Sequence, residues 1–331
     1  MNTEELKALK VVVLAGGWSE EREVSMSSGT ECRQALLDFG FSKVDLIDIA
    51  EPQFIEKISR GGYDVAFPAL HGRYGEDGCI QGLLEVLHLP YTFSGVLAQA
   101  AAMEKEVAKV IYAKAGLRTP RGYDFAAGTQ LNEKQVDTVI EELGLPLFVK
   151  PSGNGSSFGI TRVTERCQLR PAIDLAGKDG ERVLVEECVV GTEITVPVLG
   201  NDETQALPIV EVVTGADFYD SKVKYEPSEL HHVIPARLPA TVYQKAQAAA
   251  QVAHRALGCA GCSRSDFIVT ADGEPVILET NTIPGMTAAS LLPDSARHGG
   301  IEFPDLCARF VELAMEKVAE PAAEEPAEDE A

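Results

Sequence analysis

No stretch of this 331-residue chain is apolar for the length a membrane span needs, and its start, MNTEELKALK, lacks the basic-then-apolar order of a signal peptide. A cytoplasmic protein is expected, with no membrane partner. Positive charge is scarce: 29 Lys and Arg face 51 Asp and Glu, for a net charge of −22. Six acidic residues and no basic one fall in 320–330, and the remainder is still strongly acidic, which argues against a nucleic-acid footprint. The tail, 319–331, has too little apolar surface to offset its chain entropy and is expected to stay disordered. Seven cysteines, an odd number in a large chain without a secretion signal, read as reduced thiols. The single C-x-x-C, Cys259 to Cys262, lacks the second pair a zinc site needs and any thioredoxin-like context, so it reads as two small core thiols. Two nucleotide fingerprints are missing as well. Without G-x-G-x-x-G the opening strand–turn–helix is not a dinucleotide-binding unit, which removes a nicotinamide-dependent dehydrogenase. Without G-x-x-x-x-G-K-[ST] there is no Walker loop. No internal repeat is present.

What is there is a chain 45% hydrophobic and 24% charged, typical of a globular protein and long enough for two or three domains. The stretch Arg264 to Gly285 stands out. Apolar runs Phe267–Val269 and Pro275–Leu278 flank Asp272-Gly273, a strong hairpin signal. A hairpin returns its second strand beside the start of its first, so Arg264 and Asp266 should meet Glu279 and Asn281 at one end. Two carboxylates and an amide oxygen suit Mg²⁺ bridged to a nucleotide phosphate. An ordinary surface hairpin with solvated charges fits the same residues.

Upstream, Lys10–Ala15 reads as a buried parallel strand entering Gly16-Gly17-Trp18-Ser19 and a helix to about Phe39. Glu21 at that helix start complements the helix dipole if nothing else. Strands are expected at Lys43–Ile47 and Asp64–Pro68. The latter runs into Ala69 to Gly78, whose glycines, His71 and acids suggest a loop built for close approach. Tyr91–Ser94 is expected as a last strand and Ala98–Ala115 as one helix carrying Lys105 and Lys109. Between strands Leu147–Lys150 and Ile160–Val163 lies a Gly- and Ser-rich loop, Pro151 to Gly159. It could offer N–H groups and hydroxyls to phosphate with Lys150 at its base, or be a flexible hairpin. Val183–Val190 and Ile194–Leu199 are expected strands. Residues 214–235 are long, polar and aperiodic, as active-site lids often are. Thr241–Leu257 is helical and ends at Gly258, and Pro304–Val318 is a second long helix.

Together these segments resemble the D-alanine–D-alanine ligase family, of the ATP-grasp fold. The resemblance spans Val11 to about Val318. It rests on Glu21 to Ser25 (E-R-E-V-S), His71 to Gly82 (H-G-x-x-G-E-D-G-x-x-Q-G), Lys150 to Gly159 (K-P-x-x-x-G-S-S-x-G), and Gly261 to Thr287 (G-x-x-R-x-D, then E-x-N-x-x-P-G-M-T). It implies a mixed α/β and α+β architecture of three domains. These are an N-terminal α/β domain with a parallel sheet at 1–95, a central ATP-grasp domain at 96–190, and a C-terminal ATP-grasp domain at 191–318 with the lid at 214–235. The last two clasp ATP between mainly antiparallel sheets.

The implied reaction joins two D-alanines through an acyl phosphate, giving D-alanyl-D-alanine, ADP and phosphate for peptidoglycan. The resemblance gives ATP binding to Lys105, Lys150, Ser156, Ser157, Glu186, Glu187, Val189 and Glu193, and two Mg²⁺ (or Mn²⁺) ions to Asp266, Glu279 and Asn281. Glu21 and His71 would meet the first D-alanine, Lys224 and Ser290 the carboxylate of the second. Arg264 and the Gly285 N–H would face the tetrahedral oxyanion, and Glu21, Ser156 and Tyr225 would close the lid. A homodimer is implied too. Tyr225 goes with an amine rather than D-lactate as second substrate, and a sister ligase using D-serine is the alternative. Ser265 and Thr280 replace aliphatic residues and should point away from the site. Trp18 replaces a small residue beside Glu21.

Overall fold

An apolar strand, buried from its second residue onward, sits at the centre of the first sheet. A computed structural model of the chain describes residues 1–153, 159–178, 182–214, 230–287 and 290–319. After helix α1 (Thr3–Ala8), strand β1 (Lys10–Ala15) is buried from Val11 onward. It lies between β2 (Lys43–Asp48) and β3 (Val65–Pro68), parallel to both. Helix α2 (Arg22–Phe39) crosses from β1 to β2, α3 (Phe54–Arg60) from β2 to β3, and α4 (Cys79–Val86) follows the loop after β3. Burial on both faces explains why β1 reads as an unbroken apolar run. The loops after β1 and β3 leave the same, carboxyl edge of the sheet, where open parallel sheets present their ligand crevice.

The expected strand at Tyr91–Ser94 is reduced to one bridge, Tyr91 to Ala66. Phe93 has a positive φ of 71°, and its carbonyl accepts from Lys317 Nζ at 2.8 Å instead of extending the sheet. Burial lowers the pKa of that lysine to about 8. The single helix expected at Ala98–Ala115 is two, α5 (Val96–Met103) and α6 (Lys105–Lys114), broken at an extended Glu104. The break frees the first N–H groups of α6 for Ser152: Lys105 N donates to its carbonyl at 3.3 Å and Glu106 N to its hydroxyl at 3.4 Å.

The second sheet is antiparallel in the order β4 (Gly122–Phe125), β7 (Val183–Glu187), β5 (Leu147–Pro151), β6 (Thr161–Val163), covered by α7 (Glu133–Leu143) and α8 (Leu169–Ala176). Strand β7 ends at Glu187, short of the expected Val190. Its partner β5 begins at Leu147, opposite Glu187, so nothing on that side pairs further on.

The third sheet runs β11 (Leu230–Val233), β10 (Val210–Thr214), β8 (Thr192–Gly200), β12 (Cys262–Val269), β13 (Pro275–Asn281), with β9 (Thr204–Ala206) on β8. Helix α9 (Ala240–Leu257) covers it together with α5 and α6, and Gly258 closes α9 in the left-handed region. Finally α10 (Leu291–His298) and α11 (Phe303–Ala319) return to the first sheet, where Phe310 packs on Phe67 and Phe93 with centroids 6.3 and 5.0 Å away. All seven cysteines are free thiols, with Cys259 and Cys262 buried. Among the described residues no helix is long and apolar enough to cross a membrane.

Candidate active site

The hairpin signal at Asp272-Gly273 is borne out, and the pairing delivers the expected residues in register: Arg264 opposite Asn281, Asp266 opposite Glu279. A bulge after Asp266 breaks the register there. Strand alternation puts Arg264 and Asp266 on the half-exposed face of β12, with Thr195 of β8 directly opposite Asp266 and Glu193 two residues along the same strand face. Ser265 and Thr280 take the other face, as alternation requires. Their hydroxyls are 2.8 Å apart, and Tyr112 of α6 donates to Thr280 at 2.8 Å.

The face is crowded with charge. Arg264 donates to both Asp266 oxygens at 3.1 Å; Thr195 Oγ1 donates to Oδ1 and Asn281 Nδ2 to Oδ2 at 3.3 Å. Lys105 Nζ lies 3.2 Å from Glu279 Oε2. Burial, together with Asp266 and Glu279, raises the Glu193 pKa to about 7.

Helix α6 carries a stripe at i, i+4 and i+7. Lys105 meets Glu279, Lys109 meets Glu186, and Tyr112 meets Thr280. Glu186 is 3% exposed and sits between Lys109 and Lys150, whose Nζ is 2.7 Å from Oε2. Burial opposes the charge on both members of the Lys150–Glu186 pair. Mutual attraction wins: the Lys150 pKa is held above its usual range, with help from Glu279, and that of Glu186 below, with help from Lys109. The Glu187 carboxylate takes the Arg121 N–H at 3.0 Å and the Arg121 side chain. Val189 is half-buried in the link between β7 and β8.

The other end of the site lies at the carboxyl edge of the first sheet. Most polar residues of its two motifs brace the loops rather than face outward. Glu76 accepts from Gly72 N at 2.8 Å, Asp77 from Tyr74 N at 2.7 Å, and Gln81 donates to the Gly75 carbonyl at 2.8 Å. In the first loop Arg22 pairs with Asp48, and Ser25 Oγ accepts from Gly16 N at 2.9 Å and donates to the Ala69 carbonyl at 2.6 Å. Glu21 makes no capping bond to α2, and its carboxylate lies over Gly72, where a Cβ would come within 3.0 Å of Oε2. His71 is 6% exposed, with Nε2 3.2 Å from Ser28 Oγ. Trp18 is 59% exposed and packs edge-on to Tyr74 and Phe54.

Residues 281–287 and 290 connect the two ends. Thr282 bonds Gln99 of α5, Met286 N donates to Ser28 Oγ at 3.4 Å, and Gly285 lies against Ser290, a Cβ there being 3.0 Å from Ser290 Oγ. That hydroxyl accepts from Thr287 N at 3.1 Å. Ser156, Ser157, Lys224 and Tyr225 lie outside the described residues, as do most of the expected lid and the tail from 320. Sequence reasoning gave Lys109 no role, although its i, i+4 spacing from Lys105 was the available signal. Nothing local pointed to Ser28, Gln99 or Thr195.

Comparison with known proteins agrees with this geometry. The family described as D-ala D-ala ligase C-terminus matches residues 111–312, and D-ala D-ala ligase N-terminus matches 49–94. The chain is 45% identical over 320 residues to a D-alanine--D-alanine ligase of Geotalea uraniireducens, covering 97% of this chain and 100% of the relative. It is 44% identical over 314 residues to one of Desulforamulus reducens, covering 94% and 100%. A crystal structure of the Bacillus anthracis D-alanine--D-alanine ligase complexed with ATP superposes with a TM-score of 0.81 at 32% identity, covering 94% of this chain and 98% of that one. With a parallel N-terminal sheet, two antiparallel sheets bridged by Lys105 and Lys109 of α6, and these relatives, the chain belongs to the D-alanine–D-alanine ligase family, of the ATP-grasp fold.

Proposed function

We propose that this chain joins two D-alanines to D-alanyl-D-alanine at the cost of ATP, in the cytoplasm and as a homodimer, for peptidoglycan synthesis. The observation that carries the reading is Asp266 in register with Glu279 on one sheet face, with Lys105 of α6 on Glu279 and, on the neighbouring sheet, Lys150 of β5 on Glu186. We read the domains as 1–95, 96–190 and 191–318.

A carboxylate is a poor acylating agent, so the first step is its phosphorylation by ATP, a reaction governed by positioning and charge neutralisation. Lys105 and Lys150 take the phosphates, Ser156 and Ser157 supply donors, Glu186, Glu187 and Val189 border the adenine, and Glu193 binds the ribose. The donor set fits a hard divalent cation. Burial first, and then the nearby Asp266 and Glu279 carboxylates, raise the Glu193 pKa, and a cation on the two carboxylates would relieve their share. Among the described residues no group of three or more His, Cys, Asp or Glu could hold a metal. Mg²⁺ takes one or two carboxylates and leaves the rest of its coordination to phosphate and water. Asp266, Glu279 and Asn281 would hold two Mg²⁺ (or Mn²⁺) ions, which supply charge neutralisation on the phosphates.

Glu21 binds the ammonium of the first D-alanine, with His71 beside it. The amine of the second then attacks the acyl carbon and phosphate leaves. Arg264 and the Gly285 N–H stabilise the oxyanion, and Lys224 with Ser290 holds the second carboxylate. Closure by Glu21, Ser156 and Tyr225 keeps water from the acyl phosphate.

The test is ADP release with D-alanine, L-alanine, D-serine and D-lactate in parallel. Release with D-alanine, and none with L-alanine, is expected. No release with D-alanine would overturn the reading, and D-lactate turnover equal to D-alanine at neutral pH would overturn the role of Tyr225.

A further inference from the structure

One buried carboxylate, Asp294, takes no part in the site described above. It is 6% exposed, one turn into α10, and its backbone N–H donates to the Ser290 carbonyl at 3.1 Å. A buried carboxylate is costly unless paired, and Asp294 is paired three ways. His232 Nε2 donates to Oδ2 and Arg297 donates to Oδ1, while His298 Nδ1 lies 3.6 Å from Oδ1. Arg297 and His298 belong to the same helix. His232 does not: it lies on β11, 62 residues away, and β11 is an edge strand paired only with β10 among the described residues. The next residue of α10, Ser295, donates to the Pro208 carbonyl at 2.6 Å, just before β10. Two consecutive side chains of α10 therefore bond to β11 and to the segment just before β10.

Those bonds fix the rotation of α10 about its own axis, and Ser290 is the residue from which α10 starts. Its hydroxyl lies where a Cβ on Gly285 would come within 3.0 Å of it, so a small rotation of the helix would carry Ser290 Oγ off that position. We propose that Asp294, held by His232, is a positioning residue for the second substrate: it sets α10 so that Ser290 meets the carboxylate of the incoming D-alanine beside Gly285. The inference rests on the role given to Ser290 above.

The experiment separates the two half-reactions. With hydroxylamine as acceptor, its nitrogen attacks the acyl carbon, the C–O bond to phosphate breaks, and D-alanine hydroxamate forms without a second D-alanine. For His232→Phe and Asp294→Asn, KM for the second D-alanine should rise about tenfold while hydroxamate formation stays within about twofold of the parent. The double variant should be no worse than either single, because both remove the same contact. Thermal midpoints of all three identify any variant that fails to fold, and His232→Phe, at a half-buried position, is the milder change. Equal losses in both half-reactions, or an unchanged KM for the second D-alanine, would overturn the proposal. Ser290→Ala is the control. If it raises that KM and the other two do not, the positioning role alone is wrong; if it too has no effect, the assignment of Ser290 falls with it.

Discussion

Lys105 Nζ lies 3.2 Å from Glu279 Oε2, so a lysine read as a phosphate ligand already neutralises a carboxylate read as a metal ligand. Arg264, read as an oxyanion donor, likewise pairs with Asp266. On the proposed reading, Asp266 and Glu279 each carry an internal cation that would compete with an incoming metal. Lys105→Gln should therefore act in opposite directions. Mn²⁺ affinity without nucleotide should rise severalfold, and ATP affinity should fall about tenfold or more, the worth of one charge-assisted hydrogen bond. Mn²⁺ titration by paramagnetic resonance and ATP titration by calorimetry read the two effects. A fall in both would show that Lys105 and metal do not compete for Glu279.

Glu279→Gln keeps the shape and removes the charge. Turnover is expected to fall about a hundredfold or more, since the carboxylate offsets charge on both the metal and Lys105. Near-parent activity at saturating Mg²⁺ would remove Glu279 from the metal site.

Glu193 makes stability depend on pH in a defined direction. Its pKa in the folded chain, about 7, lies above the ordinary carboxylate value of 4.5. Its favourable contribution is therefore complete below the unfolded value and is lost as pH rises through 7. The full loss is on the order of 3 kcal/mol. Glu193→Gln stays neutral throughout, so without ligand it should be more stable than the parent at pH 8, with much of that advantage gone at pH 5. Urea unfolding at both pH values checks this. An advantage that did not change with pH would mean that the carboxyl does not titrate in this window.

The buried hydroxyl chain Tyr112–Thr280–Ser265 predicts an ordering of two substitutions. Tyr112→Phe leaves Thr280 and Ser265 bonded to each other and should cost about 1 kcal/mol. Thr280→Val strands the hydroxyls of both neighbours and should cost more, about 1–3 kcal/mol. Denaturant midpoints decide; equal or reversed costs would mean that the chain carries no net energy.

Local patterns made a large part of this protein legible. Alternation around Asp272-Gly273 was enough to bring Arg264, Asp266, Glu279 and Asn281 to one end of a hairpin, because register and side-chain alternation follow from the backbone once the turn is placed. The apolar run at Lys10–Ala15 named its own central position, and Gly258 marked the end of α9. By composition and spacing alone, the chain excluded a Walker loop and a dinucleotide fingerprint, and its motifs carried the family resemblance. Where local reading failed, a distant group had intervened. Tyr91–Ser94 has strand-like residues, but Lys317 takes the Phe93 carbonyl, and the break at Glu104 turns on Ser152, 48 positions along. Which cation meets which carboxylate was also undecided: Lys109 and Lys150 meet at Glu186 because α6 packs across two sheets. Likewise Ser28 links His71 to Met286. Periodicity and turn chemistry act over a few residues, whereas the pairing of buried charges is settled by which surfaces the core brings together. The chemistry of each group was therefore written in the sequence, and its partner was decided by tertiary packing.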